Sequence, residues 1–136
     1  MKAHLTRRYI FSASHRLHRE ELSDEQNRAV YGKCSNPYGH GHNYALEVTV
    51  SGQVDAATGM VCNLVDLDET VRREILGRFD HVNLNRCGEF TSQVPTTENL
   101  SEVIFHILKQ YFTAAHLERV RLEETLMNSF EYCGGN

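Results

Sequence analysis

No stretch of this chain approaches the roughly 18 consecutive apolar residues of a membrane-spanning helix, which argues against a membrane protein. The opening residues, MKAHLTRRYIF, carry neither an apolar signal core nor a cleavage site, so the expectation is a cytoplasmic protein. A basic excess is missing too. The formal net charge is −4, against the basic stripe that nucleic-acid-binding domains usually carry. The four cysteines (Cys34, Cys62, Cys87, Cys133) form no C-x-x-C pair; without an export signal they read as reduced thiols rather than a disulfide framework. No nucleotide-binding glycine motif, internal repeat, low-complexity tract or Pro/Gly-rich linker divides the 136 residues. The chain therefore reads as one domain, 1–136, long enough to build a core.

What is present is ordinary in bulk, 40% hydrophobic and 24% charged, but includes eight histidines. Residues 6–15 place Tyr9, Phe11, Ala13 and His15 on one parity, a strand with one buried face. Residues 18–30 are polar and read as a loop or short irregular helix. Residues 43–54 alternate Tyr44, Leu46, Val48 and Val50 against polar or small neighbours, with His42 on the apolar parity. Residues 55–59 read as a turn and 60–64 as a short returning strand. Asp66 reads as a helix N-cap with Glu69 completing a capping box; Leu67, Val71 and Ile75 repeat at helical spacing and Gly77 marks the end. Leu100, Val103, Ile104, Ile107, Leu108 and Tyr111 form the stripe of a second helix, entered through Pro95, Thr96 and Thr97. Residues 117–126 and 129–133 read as strands. Strands, helix, helix and strands in that order predict an α+β fold with a largely antiparallel sheet.

The chemistry concentrates in Cys34-Ser-Asn-Pro-Tyr-Gly-His40-Gly-His42-Asn-Tyr44. In an extended chain His40 and His42 point to one side, and neutral imidazole is the commonest metal ligand. The blander alternative is a turn with two exposed histidines. His15, ending a strand on its inner parity, offers a third imidazole, and Gly39 and Gly41 allow a crowded loop; three imidazoles together favour zinc. Cys34 is then either a closing fourth ligand or a nucleophile or base. Its spacing departs from the usual structural zinc patterns, and its polar loop suggests exposure and, near Lys33 or a metal, a lowered pKa. A reactive thiol is therefore preferred. Asp80-His81 is either a proton-transfer unit or a helix-end cap, the cap being the simpler reading. Glu124 lies on the apolar parity of its strand and needs a compensating partner, such as the paired donors of a ligand's amide edge, unless it bends to solvent. Thr96 and Thr97 serve as caps, or meet a ligand near the helix start.

Together these segments resemble the 6-pyruvoyltetrahydropterin synthase and 6-carboxytetrahydropterin synthase superfamily. The resemblance is carried by Phe11-Ser-Ala-Ser-His15, Cys34 to Tyr44, Gly59 to Leu67, Asp80-His81-Val-Asn-Leu84, Pro95-Thr-Thr-Glu-Asn99 and Glu124-Thr125, six segments in the family's order. It implies a tunnelling fold (T-fold): a four-stranded antiparallel sheet with two helices on one face, closing into an oligomeric barrel, often a homohexamer of two stacked trimers with active sites at subunit interfaces. It implies zinc (Zn2+) on His15, His40 and His42, Cys34 as proton-abstracting base, and Asp80 and His81 completing the catalytic set from a neighbouring subunit. Glu124 would anchor the pterin's 2-amino and N3 edge, with Thr96, Thr97 and Glu98 along the pterin pocket.

The activity implied is a zinc-dependent carbon–oxygen lyase acting on 7,8-dihydroneopterin triphosphate, with triphosphate elimination and an internal redox shift to 6-pyruvoyl-tetrahydropterin. The thiol six residues before the H-x-H, and the Asn-Pro-Tyr-Gly insert, resemble the pyruvoyl branch. One alternative is the carboxytetrahydropterin branch of queuosine and deazapurine synthesis, a carbon–carbon lyase, which usually has a shorter cysteine-to-histidine spacing. A third branch replaces the cysteine by glutamate, and Cys34 argues against it. An alternative of another class is a non-catalytic zinc- or pterin-binding module.

Overall fold

In the computed structural model, which describes residues 1–135, two long strands form the spine: β1 (Lys2–His15) and β2 (His40–Gln53). They pair antiparallel along their whole length, from Lys2 opposite Gln53 to His15 opposite His40. Between them lie α1 (Asp24–Tyr31) and a single 3₁₀ turn, Gly32–Ser35. Next comes α2 (Leu64–Val71), continued by a π turn (Arg72–Leu76) and a last α turn (Gly77–Phe79). The two-residue β3 (Val82–Asn83), α3 (Thr97–Tyr111), β4 (His116–Thr125) and β5 (Asn128–Tyr132) complete the order. The sheet runs β3-β1-β2-β4-β5.

The four antiparallel strands, with helices packed on one face, match the expected fold. The fifth, β3, adds a short parallel pairing at the end of β1, with Ala13 opposite Val82 and Ser14 opposite Asn83. Two residues are too few to show a period. The parity read from sequence sets the core: Phe11, Tyr44, Leu46, Val48, Val50, Val120 and Leu122 face Leu67, Val71, Ile75, Leu100, Ile104 and Leu108. Leu126, the last residue of the strand expected over 117–126, is 95% exposed, because β4 ends at Thr125 and the chain turns. Among the described residues no helix is long and apolar enough to cross a membrane.

Three local expectations are corrected. Residues 60–64 form no strand; Val61 instead lies against Gly52, where a Cβ would sit 3.7 Å from its side chain. The cap of α2 is Asn63, whose Oδ1 accepts from the Val65 amide at 2.9 Å, and Asp66 stands in the first turn. Nor does the helix stop at Gly77, whose φ of −63° is ordinary helical backbone rather than the left-handed conformation of a glycine terminator. Phe79 explains the extension. In an unbroken α-helix it would sit about 120° round from Leu67; the π turn absorbs one residue, reducing this to about 20°. Leu67, Val71, Ile75 and Phe79 are consequently all fully buried.

The polar segment before β2 does contain a regular helix. Ser23 caps α1 in a capping box with Gln26. Buried Asn27 pins the approach, accepting from the Arg19 amide and donating to the carbonyls of Arg19, Leu22 and Ser23.

Candidate active site and metal centre

The antiparallel pairing of β1 and β2 assembles the histidines. His15 stands opposite His40, and His42 opposite Ala13, both on the inward parity. The His42 ring centroid lies 4.9 Å from that of His15 and 4.6 Å from that of His40. Gly39 makes the approach possible. Its φ is +82°, and a Cβ there would come within 3.3 Å of the His15 carbonyl oxygen. Cys34 is brought in by its backbone, since its carbonyl accepts from the Leu17 amide at 2.7 Å, just beyond the end of β1. Glu124 arrives from the end of β4.

One donor atom from each of His15, Cys34, His42 and Glu124 falls within 4.8 Å of the others. The donor set suits a metal in a second respect. His15 is 1% exposed, and its Nδ1 lies 2.9 Å from the Pro95 carbonyl. An N–H there donates to that oxygen and leaves the Nε2 lone pair free. His15 Nε2 is buried without a hydrogen-bond partner. His42 Nε2 lies 2.9 Å from Glu124 Oε1, yet lacks the alignment of a hydrogen bond. Two buried, unpartnered ring nitrogens facing a thiol and a carboxylate fit a divalent ion that prefers nitrogen and sulfur. His40 packs against His42 but stands outside the tight four-residue set.

Electrostatics follow from burial. It pushes the pKa of His15 down, with the Pro95 hydrogen bond opposing, and that of His42 down, with Glu124 opposing; both favour the neutral, ligating imidazole. It pushes the Cys34 thiol up, aided by the nearby Glu124 charge. The expected exposure and lowered pKa of Cys34 are thus corrected: the residue is half-buried and Lys33 is exposed, so burial and the Glu124 charge set the direction. Tyr44, fully buried and stacked on Phe11 with centroids 5.0 Å apart, has its phenol pushed up by burial and then by Glu124.

Glu124 does not bend to solvent. Its side chain is 13% exposed, and Oε2 accepts from Thr97 Oγ1 at 2.6 Å. Thr96 is the N-cap of α3, accepting from the Asn99 amide at 3.1 Å, while Glu98 is exposed beside it. The adjacent threonines therefore divide the work, one capping the helix and the other holding the carboxylate.

Asp80 and His81 form a contact of their own, with Asp80 Oδ1 3.0 Å from His81 Nδ1. The same oxygen accepts from the Ser12 amide at 2.9 Å, and the His81 amide donates to the Ser12 carbonyl. His81 has φ +61°, alone among the described non-glycine residues in being positive, and its side chain is 81% exposed. It lines an open cavity of about 410 Å³ with Ser12, Ser14, Gly41 and Asn43, of outward parity, and with Ala13 and His42, of inward parity. Within one chain the dyad stands outside the four-residue cluster, although His42 borders the same cavity.

Sequence reasoning missed Pro95, whose carbonyl selects the His15 tautomer, and Thr97 as the partner of Glu124. Neither role has a sequence signal beyond lying before and at the start of α3.

The family described as 6-pyruvoyl tetrahydropterin synthase matches residues 4–134 of this chain. A protein of Poecilia reticulata named 6-pyruvoyl tetrahydrobiopterin synthase is 47% identical over 132 residues, covering 96% of this chain and 90% of that protein. The Homo sapiens protein of the same name is 45% identical over 134 residues, covering 98% and 92%. Among solved structures, the Caenorhabditis elegans 6-pyruvoyl tetrahydropterin synthase superposes with a TM-score of 0.91 at 40% identity, covering 99% of this chain and 97% of that one.

Proposed function

The chain belongs to the 6-pyruvoyl tetrahydropterin synthase family, and from that membership we propose that it converts 7,8-dihydroneopterin triphosphate into 6-pyruvoyl-tetrahydropterin with loss of triphosphate. The observation that carries this reading is the meeting of His15, Cys34, His42 and Glu124 donor atoms within 4.8 Å. His15, His40 and His42 would hold zinc. When bound there, zinc supplies Lewis acidity and a template for the substrate's two side-chain hydroxyls.

The remaining steps belong to side chains. Glu124 accepts hydrogen bonds from the pterin's 2-amino and N3 edge, its carboxylate held by Thr97; paired donors to one carboxylate fix both position and orientation. Thr96 and Glu98 flank the pterin along the start of α3. The Cys34 thiolate takes a proton from the substrate side chain. Asp80 orients His81, whose imidazole carries protons during elimination and the internal redox shift. No outside reductant is consumed: one side-chain carbonyl forms as its two electrons pass to the ring's C=N bond, and the other forms by tautomerisation of the enol left when triphosphate departs.

Since the Asp80–His81 dyad is tied to the β3 edge of β1 through the Ser12 amide and stands outside the four-residue cluster, a neighbouring copy would supply it, in a ring of subunits such as a dimer of trimers. Four free thiols suit a reducing cytoplasm. The test is turnover of dihydroneopterin triphosphate by the purified protein and by Cys34→Ala, with metal content measured on both. Loss of turnover with metal retained supports a catalytic thiol. Absence of turnover by both proteins, with metal retained, would instead indicate a non-catalytic binding module, and equal turnover by both would remove Cys34 from the mechanism.

A further inference from the structure

Seven arginines (7, 8, 19, 73, 78, 119 and 121) are ion-paired with carboxylates. Around the Cys34 loop the pattern is different. Arg16, Arg28 and Lys33 make no ion pair among the described residues, although Arg16 Nε donates to the Ser35 carbonyl at 3.1 Å. Arg28 and Lys33 line a cavity of about 570 Å³ that ends on His40 and includes no carboxylate. Arg28 also borders a smaller adjoining cavity of about 100 Å³ with Arg16, His18 and Asp24, where Asp24 is the one acidic side chain. Ser35, Asn36 and Pro37 line both spaces. Uncompensated cations gathered in a concave, carboxylate-free space form an anion site, and guanidinium and ammonium groups suit phosphate oxygens.

We propose that the cavity lined by Arg28, Lys33 and His40 is the subsite for the substrate's triphosphate, an assignment that rests on the function proposed above. The chemistry of the substrate places the groups in this order. The triphosphate ester sits on the side-chain carbon next to the hydroxyl-bearing ones, so a ligand with its hydroxyls beside His40 extends its phosphates into the space that His40 bounds. In the elimination, a proton leaves the neighbouring carbon for the Cys34 thiolate. The carbon–oxygen bond then breaks with its electron pair departing on the triphosphate. Arg28 and Lys33 meet the charge that develops on that leaving group, with Arg16 as a further cation behind them.

The test uses the full-length protein with its metal bound, comparing wild type, Arg28→Ala, Lys33→Ala, Arg28→Lys and, as a control, Arg72→Ala. Arg28 and Lys33 are exposed, and thermal melts check that folding is preserved. Three constants are measured: KM for dihydroneopterin triphosphate, the inhibition constant of inorganic triphosphate, and the affinity for unphosphorylated dihydroneopterin, with metal content checked after each. The expected result is that each alanine variant raises the first two by roughly tenfold and leaves the third unchanged. Arg28→Lys should recover part of the loss, and Arg72→Ala should match wild type. Unchanged KM and inhibition constants, or an equal loss of affinity for the unphosphorylated pterin, would overturn the subsite. A wild type that binds inorganic triphosphate through Arg28 and Lys33 yet turns over no pterin would keep the anion site and sink the function it was assigned to.

Discussion

Thr97 at the start of α3 donates its hydroxyl to Glu124 Oε2 at the end of β4, across 2.6 Å. Helix and strand thus hold one carboxylate beside the histidines. Replacing Thr97 by valine keeps the volume and removes the donor. The expected outcome is a KM for the pterin raised roughly tenfold, in line with the loss of one hydrogen bond to a charged group, while bound metal stays at the wild-type level. Steady-state kinetics and metal analysis on the same sample check it.

The burial that lowers the pKa of His15 gives a pH dependence with a definite sign. An imidazole whose folded pKa lies below its unfolded value of about 6.5 is bound to more protons when unfolded. Stability is therefore fully present above that pH and falls as the pH drops through it. Metal-stripped protein should show a lower urea midpoint at pH 5.5 than at pH 7.5, and His15→Phe should flatten the difference. A midpoint that rises on acidification over that range contradicts the burial argument.

Further along the same face of β1, Asp68 of α2 accepts from Arg7 Nε and Nη2 and from the Tyr9 hydroxyl. These hydrogen bonds, the Arg7 one first, hold its carboxyl below the usual range. Its contribution is present above the unfolded carboxylate pKa of about 3.9 and is lost as pH falls further. Because Arg7 is solvent-exposed, screening keeps this contribution small. Acid titration of Asp68→Asn against wild type, followed by circular dichroism, should show the difference shrinking below about pH 4.

His81 adopts a positive φ that costs a side-chain-bearing residue about 1–2 kcal/mol. His81→Gly should therefore be more stable than His81→Ala by roughly 1 kcal/mol, while both lose turnover. Chemical denaturation and activity measured together separate the conformational role from the chemical one. Equal stability of the two variants would remove the strain argument.

Much of this arrangement can be read from the chain. The alternation through Tyr44, Leu46, Val48 and Val50 carries His42 to the inner face, and the parity of Phe11 and Ala13 does the same for His15. The stripe of α3 and its Thr96 cap are equally plain. What escapes pattern reading depends on tertiary geometry. Asn63 and Asp66 are both acceptable helix caps, and only packing selects the earlier one. The π turn exists because Phe79 must reach the core, a demand that no local period records. In α1 the stabilising contacts are a capping box and the buried Asn27 amide, so a polar sequence conceals a regular helix. The His15 tautomer depends on the Pro95 carbonyl, eighty residues away. The subtype rests on the six-residue step from Cys34 to His40, and that step bears on product identity.

Product identity is accordingly the most direct measurement. Purified protein incubated with 7,8-dihydroneopterin triphosphate, with the mixture resolved by mass, should yield 6-pyruvoyl-tetrahydropterin and triphosphate with no two-carbon fragment. A carboxylated pterin accompanied by acetaldehyde would contradict the proposed reaction and place the thiol of Cys34 in a carbon–carbon cleavage instead.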